Sequence, residues 1–398
     1  DNVAIGINAL TNNTTGEKNV AVGSQASVLN TTGQDNTAVG QAALYNNTSG
    51  STNTALGRAA LNANTTGGSN VGVGYQALDA NTSGNNSTAV GTYSLSAATT
   101  ASGNTAVGTY SLNATTTASN NVAVGNGALQ VNTTGTANTA VGQGSLDANT
   151  TGSYNASLGS GALGQNSTAN NNVAVGYGTL GANTTGTNNT AIGMQALDGN
   201  TTASSNTAVG QAALGGANTG PNNVAVGVAS LVANTNTAVG KSALQLNTTG
   251  TPNVAVGTWA LEKNTTGGSN TAVGPAALAN NTSASNNTAV GRDALYANTT
   301  GTQNVAVGTY ALDANTSASS NTAIGYLALS DNTTGHNNTA AGVGALENNE
   351  TGQSNTAVGS IALLANTTGN KNTATGTSAL DANTTGSENT ALGMHSLG

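Results

Sequence analysis

The chain has 398 residues, of which 5% are charged, and carries a net charge of −8. Its six cations (Lys18, Arg58, Lys241, Lys263, Arg292 and Lys371) are too few and too scattered to neutralise a phosphate backbone, which excludes nucleic-acid binding. The lack of Cys excludes disulfides and thiolate metal sites, and no run approaches the roughly 20 apolar residues that span a bilayer, so this segment is not expected to insert into a membrane.

A glycine that follows a small apolar triplet returns every 17 residues, from Gly6 in Asn2-Val3-Ala4-Ile5-Gly6, through Gly40 and Gly57, to Gly393 in Asn389-Thr390-Ala391-Leu392-Gly393. The resulting 24 units share the consensus N-[TV]-A-[VIL]-G-x-x-[AS]-L-x-A-N-T-T-[GA]-x-x. So uniform a period overrides the several domains that the length alone would suggest and predicts one repeat array over 1–398. No leader opens the chain at Asp1, and a mature or excised portion of a longer protein is expected.

Within each unit, Gly, Asn and Thr leave at most about five residues between breakers, too few for a helix. A 17-residue coil instead suits an all-β parallel β-solenoid, or β-roll, of 24 rungs. Two short strands per rung are predicted, N-[TV]-A-V-G and x-A-L-x, the second carrying Leu44, Leu61 and their counterparts, with Ser27 the lone exception. Alternation sets the Thr/Val and Val/Ile/Leu columns on one face of the first strand and the Ala column on the other, and both faces are expected to be partly covered. The prolines, Pro221, Pro252 and Pro275, fall in variable turn columns, where no ladder donor is lost.

Two Asn columns flank the strands. One opens the unit (Asn36, Asn53) and the other precedes Thr-Thr or Thr-Ser (Asn47, Asn64). Rungs about 4.8 Å apart would bring like amides within bonding reach, which predicts ladders. The competing reading of Asn-Thr-Thr is a glycosylation acceptor. One interval is irregular: Gly227 to Gly240 spans 13 residues, a shortened rung at 228–240. There Leu231-Val232-Ala233-Asn234 runs directly into Thr235-Asn236-Thr237, so the missing four are expected to be turn residues.

Two large aliphatics per rung make a thin core. The small Ala and Val faces are therefore expected to pack against other chains in a side-by-side homotrimer, with a monomeric solenoid as the alternative. Close approach of three backbones would explain why the Ala column admits only Gly72 and Ser157 as departures. The valines Val20, Val71, Val122, Val173 and Val224 recur every 51 residues, which suggests growth by copying three rungs at a time.

Catalysis needs unlike residues that converge, and near-identical rungs supply none, so no enzyme, cofactor or metal site is expected. His336 and His395 stand more than three rungs apart. Seven acids (Asp79, Asp147, Asp198, Glu262, Asp313, Glu347, Asp381) follow the conserved Leu but never in adjacent units, which predicts a solvated face rather than calcium rungs. Aromatics in polar columns are the candidate surface contacts: Tyr75, Tyr93, Tyr110, Tyr177, Trp259, Tyr310 and Tyr326, with Tyr93 and Tyr110 placed to stack. A surface glycan or receptor is the partner they would offer a platform to. They also serve, on the plainer reading, to cover turns or neighbouring chains.

Asn2-Val3-Ala4-Ile5-Gly6 and Asn321-Thr322-Ala323-Ile324-Gly325 resemble the core motif of the head repeat of trimeric autotransporter adhesins, and the longer turns resemble segments of phage tail fibres. The resemblance covers the whole chain, although this unit is somewhat longer than the family's. It implies a left-handed β-roll threaded side by side in a trimer, a rigid head or shaft for attachment outside the cell, at a cell surface or on a virion. On that basis a non-enzymatic rod about 110 Å long is expected at roughly 4.8 Å per rung, associating with itself as a homotrimer or end to end. The alternative function is ice binding by Thr arrays.

Overall fold

The computed structural model describes residues 1–216, 220–230 and 236–398, in two compact units, Asp1–Ser205 and Asn206–Gly398. Among the described residues each unit contains twelve strands of three or four residues, and no helix occurs. Within each unit consecutive strands pair in parallel, each with its counterpart in the next repeat: Ala38 faces Ala55 in the first unit, and Thr271 faces Thr288 in the second. The fold is thus an all-β parallel β-solenoid with a 17-residue period. Rungs are numbered here from their opening residue, rung 1 at Asn2, rung 6 at Ser87, rung 12 at Asn189 and rung 13 at Asn206.

The strands keep register through the shortened rung, where Val224 faces Thr237 and Ala225 faces Ala238. The omission therefore falls outside the strands. Leu231 to Thr235, on which the finer reading of that rung rests, lie outside the described residues.

The predicted second strand is not a strand. After Gly40 the chain makes a four-residue turn, closed by Ala43 N–H donating to Gly40 O at 3.3 Å, with Ala42 at φ 56°. Positive φ at the third residue is type II geometry, and Pro275 followed by Ala276 at φ 55° occupies the favoured second and third positions. Leu44 is itself left-handed at φ 52°, as are its counterparts along the array. That conformation costs an L-residue roughly 1–2 kcal/mol. It is held because Leu44 N–H donates to Ala60 O of the next rung at 2.9 Å while the side chain is wholly buried.

Inside and outside also differ from expectation. The strand's middle residue points into the coil, so the Ala column is buried from Ala21 onward, whereas Thr37 and Val39 lie on the outer face, half-buried. Leu56 and Leu158 of the same outer column are 46% and 51% exposed. The Ala column therefore meets its own chain, not a neighbour's backbone. Its small size follows from the leucine across the coil: a Cβ on Gly72 would sit 3.3 Å from Leu61 Cγ, already tight contact. One Leu per rung fills the interior, and a second large side chain would overpack it. Ser157 is tolerated because its hydroxyl donates to Ala162 O at 2.9 Å and accepts from Ser145 Oγ at 2.7 Å. Ser27, in the leucine column, is buried and its hydroxyl has no partner.

The marker glycine is fixed by rung stacking. At Gly40, φ is +134° and a Cβ would lie 2.6 Å from the carbonyl oxygen of Gly57 below it, so both conformation and space reserve the position for glycine.

Candidate functional site

Both Asn columns face inward and form the expected ladders. Asn36 Nδ2 donates to Gly50 O at 2.9 Å, and Asn36 Oδ1 accepts the backbone N–H of Asn53 at 2.9 Å. Asn47 Nδ2 donates to Asn30 Oδ1 at 2.7 Å and to that same Gly50 carbonyl at 2.9 Å. One carbonyl per rung thus joins two ladders. Asn47 and Asn64 are fully buried, with both Nδ2 hydrogens engaged. A glycan cannot be attached to such a nitrogen in the folded rung, which disfavours the acceptor reading of Asn-Thr-Thr.

The ladders lapse in two adjacent rungs. Rung 6 opens with Ser87, whose hydroxyl accepts Asn104 N–H at a longer 3.3 Å. In the second column Ala98 and Thr115 replace Asn in rungs 6 and 7. Asn81 Oδ1 then takes the N–H of Gly84 in its own rung, at 3.1 Å, in place of an amide from the next.

A third, outer column also bonds rung to rung and was not foreseen. Gly68 N–H donates to Asn85 Oδ1 at 2.8 Å, and Asn85 N–H to Ser102 Oγ at 3.0 Å. His336 belongs to this column: its Nδ1 accepts Ser319 N–H at 2.9 Å, doing the work of a Ser or Asn. Among the described residues no group of three or more His, Asp or Glu converges as a metal site, and no helix is long and apolar enough to cross a membrane.

The acids after the leucine are less solvated than expected. Asp79, Asp147 and Asp198 are half-buried, and desolvation lifts their carboxyls above the ordinary range, although Gln76 Nε2 donates to Asp79 Oδ2 at 3.0 Å. Asp313 is pushed up to about 6, first by burial and then by repulsion from Asp331 and Asp293. Rungs above and below flank this column, which removes water from each carboxylate.

The structure gathers five of the seven candidate aromatics into two strips. In the first unit Tyr75 meets Tyr93 edge to face, with centroids 5.3 Å apart, and Tyr93 lies parallel to Tyr110 at 5.4 Å and 6°. Arg58 caps the strip, its guanidinium 5.7 Å from the Tyr75 ring centroid. The second unit repeats the device: Arg292 lies 5.6 Å over Tyr310, which meets Tyr326 at 6.4 Å and 69°. Arg292 also pairs with Asp293 at 3.1 Å. The two arginines went unassigned in the sequence; their signal was an Arg just after the marker glycine, one rung ahead of a Tyr. Tyr177, 63% exposed, and Trp259 stand apart from both strips. Cation–π and aromatic contacts at exposed sites contribute on the order of 0.5–1.5 kcal/mol each.

Compared with known proteins, the chain matches no family model and no curated sequence.

Proposed function

We propose that the chain is a non-enzymatic structural element, a fibre or shaft for extracellular attachment, as in a surface adhesin, a phage tail fibre or a surface filament. The outer face of its sheet carries the reading. There Leu56, Leu158 and Ile192 in the first unit and Ile324 in the second, all of the Val/Ile/Leu column, are 40–51% exposed beside the Thr/Val column. Exposed large aliphatics recurring along one face in this way mark an association surface. Copies of the chain pack through it, three together as the resemblance to adhesin head repeats implies, and the tyrosine strips, which lie on the turn side, stay free for a surface glycan or receptor. The mass of the purified chain in solution tests this. Three chains are expected, and Leu56→Glu with Ile192→Glu should lower the mass without unfolding the rungs; a wild-type monomer would overturn the assembly.

One observation favours a second reading, ice binding. Thr37, Thr54, Thr88 and Thr105 point outward from the same face, in register. Thermal hysteresis by a monomeric chain would move the assignment there. None is expected from a face that copies of the chain cover.

A further inference from the structure

The aromatic strip of the first unit crosses the junctions at which the amide ladders lapse. Tyr93 belongs to rung 6 and Tyr110 to rung 7, the rungs of Ser87, Ala98 and Thr115. Their backbones are pinned, since Tyr93 N–H donates to Tyr75 O at 3.0 Å and Tyr110 N–H to Thr92 O at 3.1 Å. The rings are parallel within 6°, with their centroids 5.4 Å apart, so the two phenols are held side by side. Tyr110 is 40% exposed and Tyr93 half-buried, so a dissolved oxidant reaches both.

Two phenols held this way are arranged for radical coupling. Each loses one electron and one proton to become a phenoxyl radical, with spin density on the Cε carbons ortho to oxygen. A bond forms between one Cε of each ring, and the hydrogen on each bonded carbon moves to oxygen to restore the phenols. The two side chains together lose two hydrogens, and one hydrogen peroxide is reduced to two waters. Prior juxtaposition gives the partner ring a high effective concentration, which lets coupling within the pair outrun coupling between chains.

We propose that Tyr93 and Tyr110 are a site of oxidative cross-linking, joined as dityrosine by a peroxide-dependent one-electron oxidant, so that a carbon–carbon bond staples rungs 6 and 7 where the inner ladder is interrupted. The chain supplies its own controls, because Tyr154 and Tyr177 are more exposed, at 66% and 63%, yet stand outside the strips. The folded chain is treated with hydrogen peroxide and a peroxidase, digested, and mapped by mass spectrometry. A linked pair of peptides bearing Tyr93 and Tyr110, lighter by two hydrogens, is expected as the main product. Tyr110→Phe keeps a ring in the stack and should abolish that product while leaving the melting temperature before oxidation unchanged. Oxidised wild type should show at least tenfold slower hydrogen exchange in rungs 6 and 7. Absence of the linked peptide, or linkage through Tyr154 and Tyr177 as readily as through Tyr93 and Tyr110, would overturn the site. Linkage with unaltered exchange would overturn the staple.

Discussion

Rungs 2 to 5 and rungs 6 and 7 of the first unit share one backbone path and, Ser27 of rung 2 apart, one column of buried leucines, yet adjacent rungs are tied by different means. In the former, Asn30, Asn47, Asn64 and Asn81 pass hydrogen bonds of 2.6–2.9 Å up the interior. In the latter the second amide column is interrupted at Ala98 and Thr115 and the first at Ser87, and Tyr93 and Tyr110 stack outside the coil, with Tyr75 of rung 5 set against Tyr93. Asn113 adds a bond of 2.7 Å from its amide to Ser96 Oγ across the same junction. Backbone bonds persist in both segments, as in Leu61 N–H to Ala77 O and Leu95 N–H to Ser111 O. The backbone therefore sets the stacking. Side chains reinforce it from whichever side of the coil is equipped to do so.

Breaking the inner reinforcement should have the largest effect. Asn64→Ala removes donors to Asn47 Oδ1 and Gly67 O and the acceptor for Asn81 Nδ2, all buried. A loss of about 3 kcal/mol in local opening free energy is expected, read by hydrogen exchange in rungs 4 and 5. Tyr93→Ala attacks the outer reinforcement and should cost about 1–2 kcal/mol in rungs 6 and 7, whereas Tyr177→Ala should stay within about 0.5 kcal/mol. Equal losses for the two tyrosines would mean that the stack bears no load. Restoring the ladder by Ala98→Asn should gain about 1 kcal/mol and reduce the cost of Tyr93→Ala, a coupling that a double-mutant cycle measures.

The smallest effect concerns pH. Scarcity of charge predicts that stability responds weakly to salt and pH, but Asp313, held at about 6, adds a local slope. Unfolded, its carboxyl titrates near about 4, so the folded state binds the proton more tightly. Its stabilising contribution is complete below about pH 4 and lost as pH rises through about 6. Asp313→Asn should flatten thermal melts between those values and raise the melting temperature at pH 7. The gain is modest because water still reaches the carboxylate. A melting profile that falls with acidification over that window would reverse the sign.

Much of this was legible in the sequence. The period located each strand, the Asn columns announced their ladders, and the Tyr93–Tyr110 stack followed from shared columns. Other features were not legible, for physical reasons. Alternation separates the Ala column from the Val column but does not say which faces the core; the volume left beside Leu61 decides that, and it depends on closure of the coil. Nothing intrinsic to leucine predicts φ near +52° at Leu44. Rung stacking imposes it and so turns an expected strand into a turn. Likewise His336 reads as an isolated imidazole until the rung below places Ser319 N–H against it.

The marker glycines carry a consequence for how such a surface can change. Because their main-chain contacts fix the distance from one coil to the next, the pitch is indifferent to what the outward columns display. Ornament and dimension are thereby uncoupled. Tyr, Arg, Gln or Gly can be exchanged at the turn positions, and new recognition chemistry tried, without altering where any other coil sits.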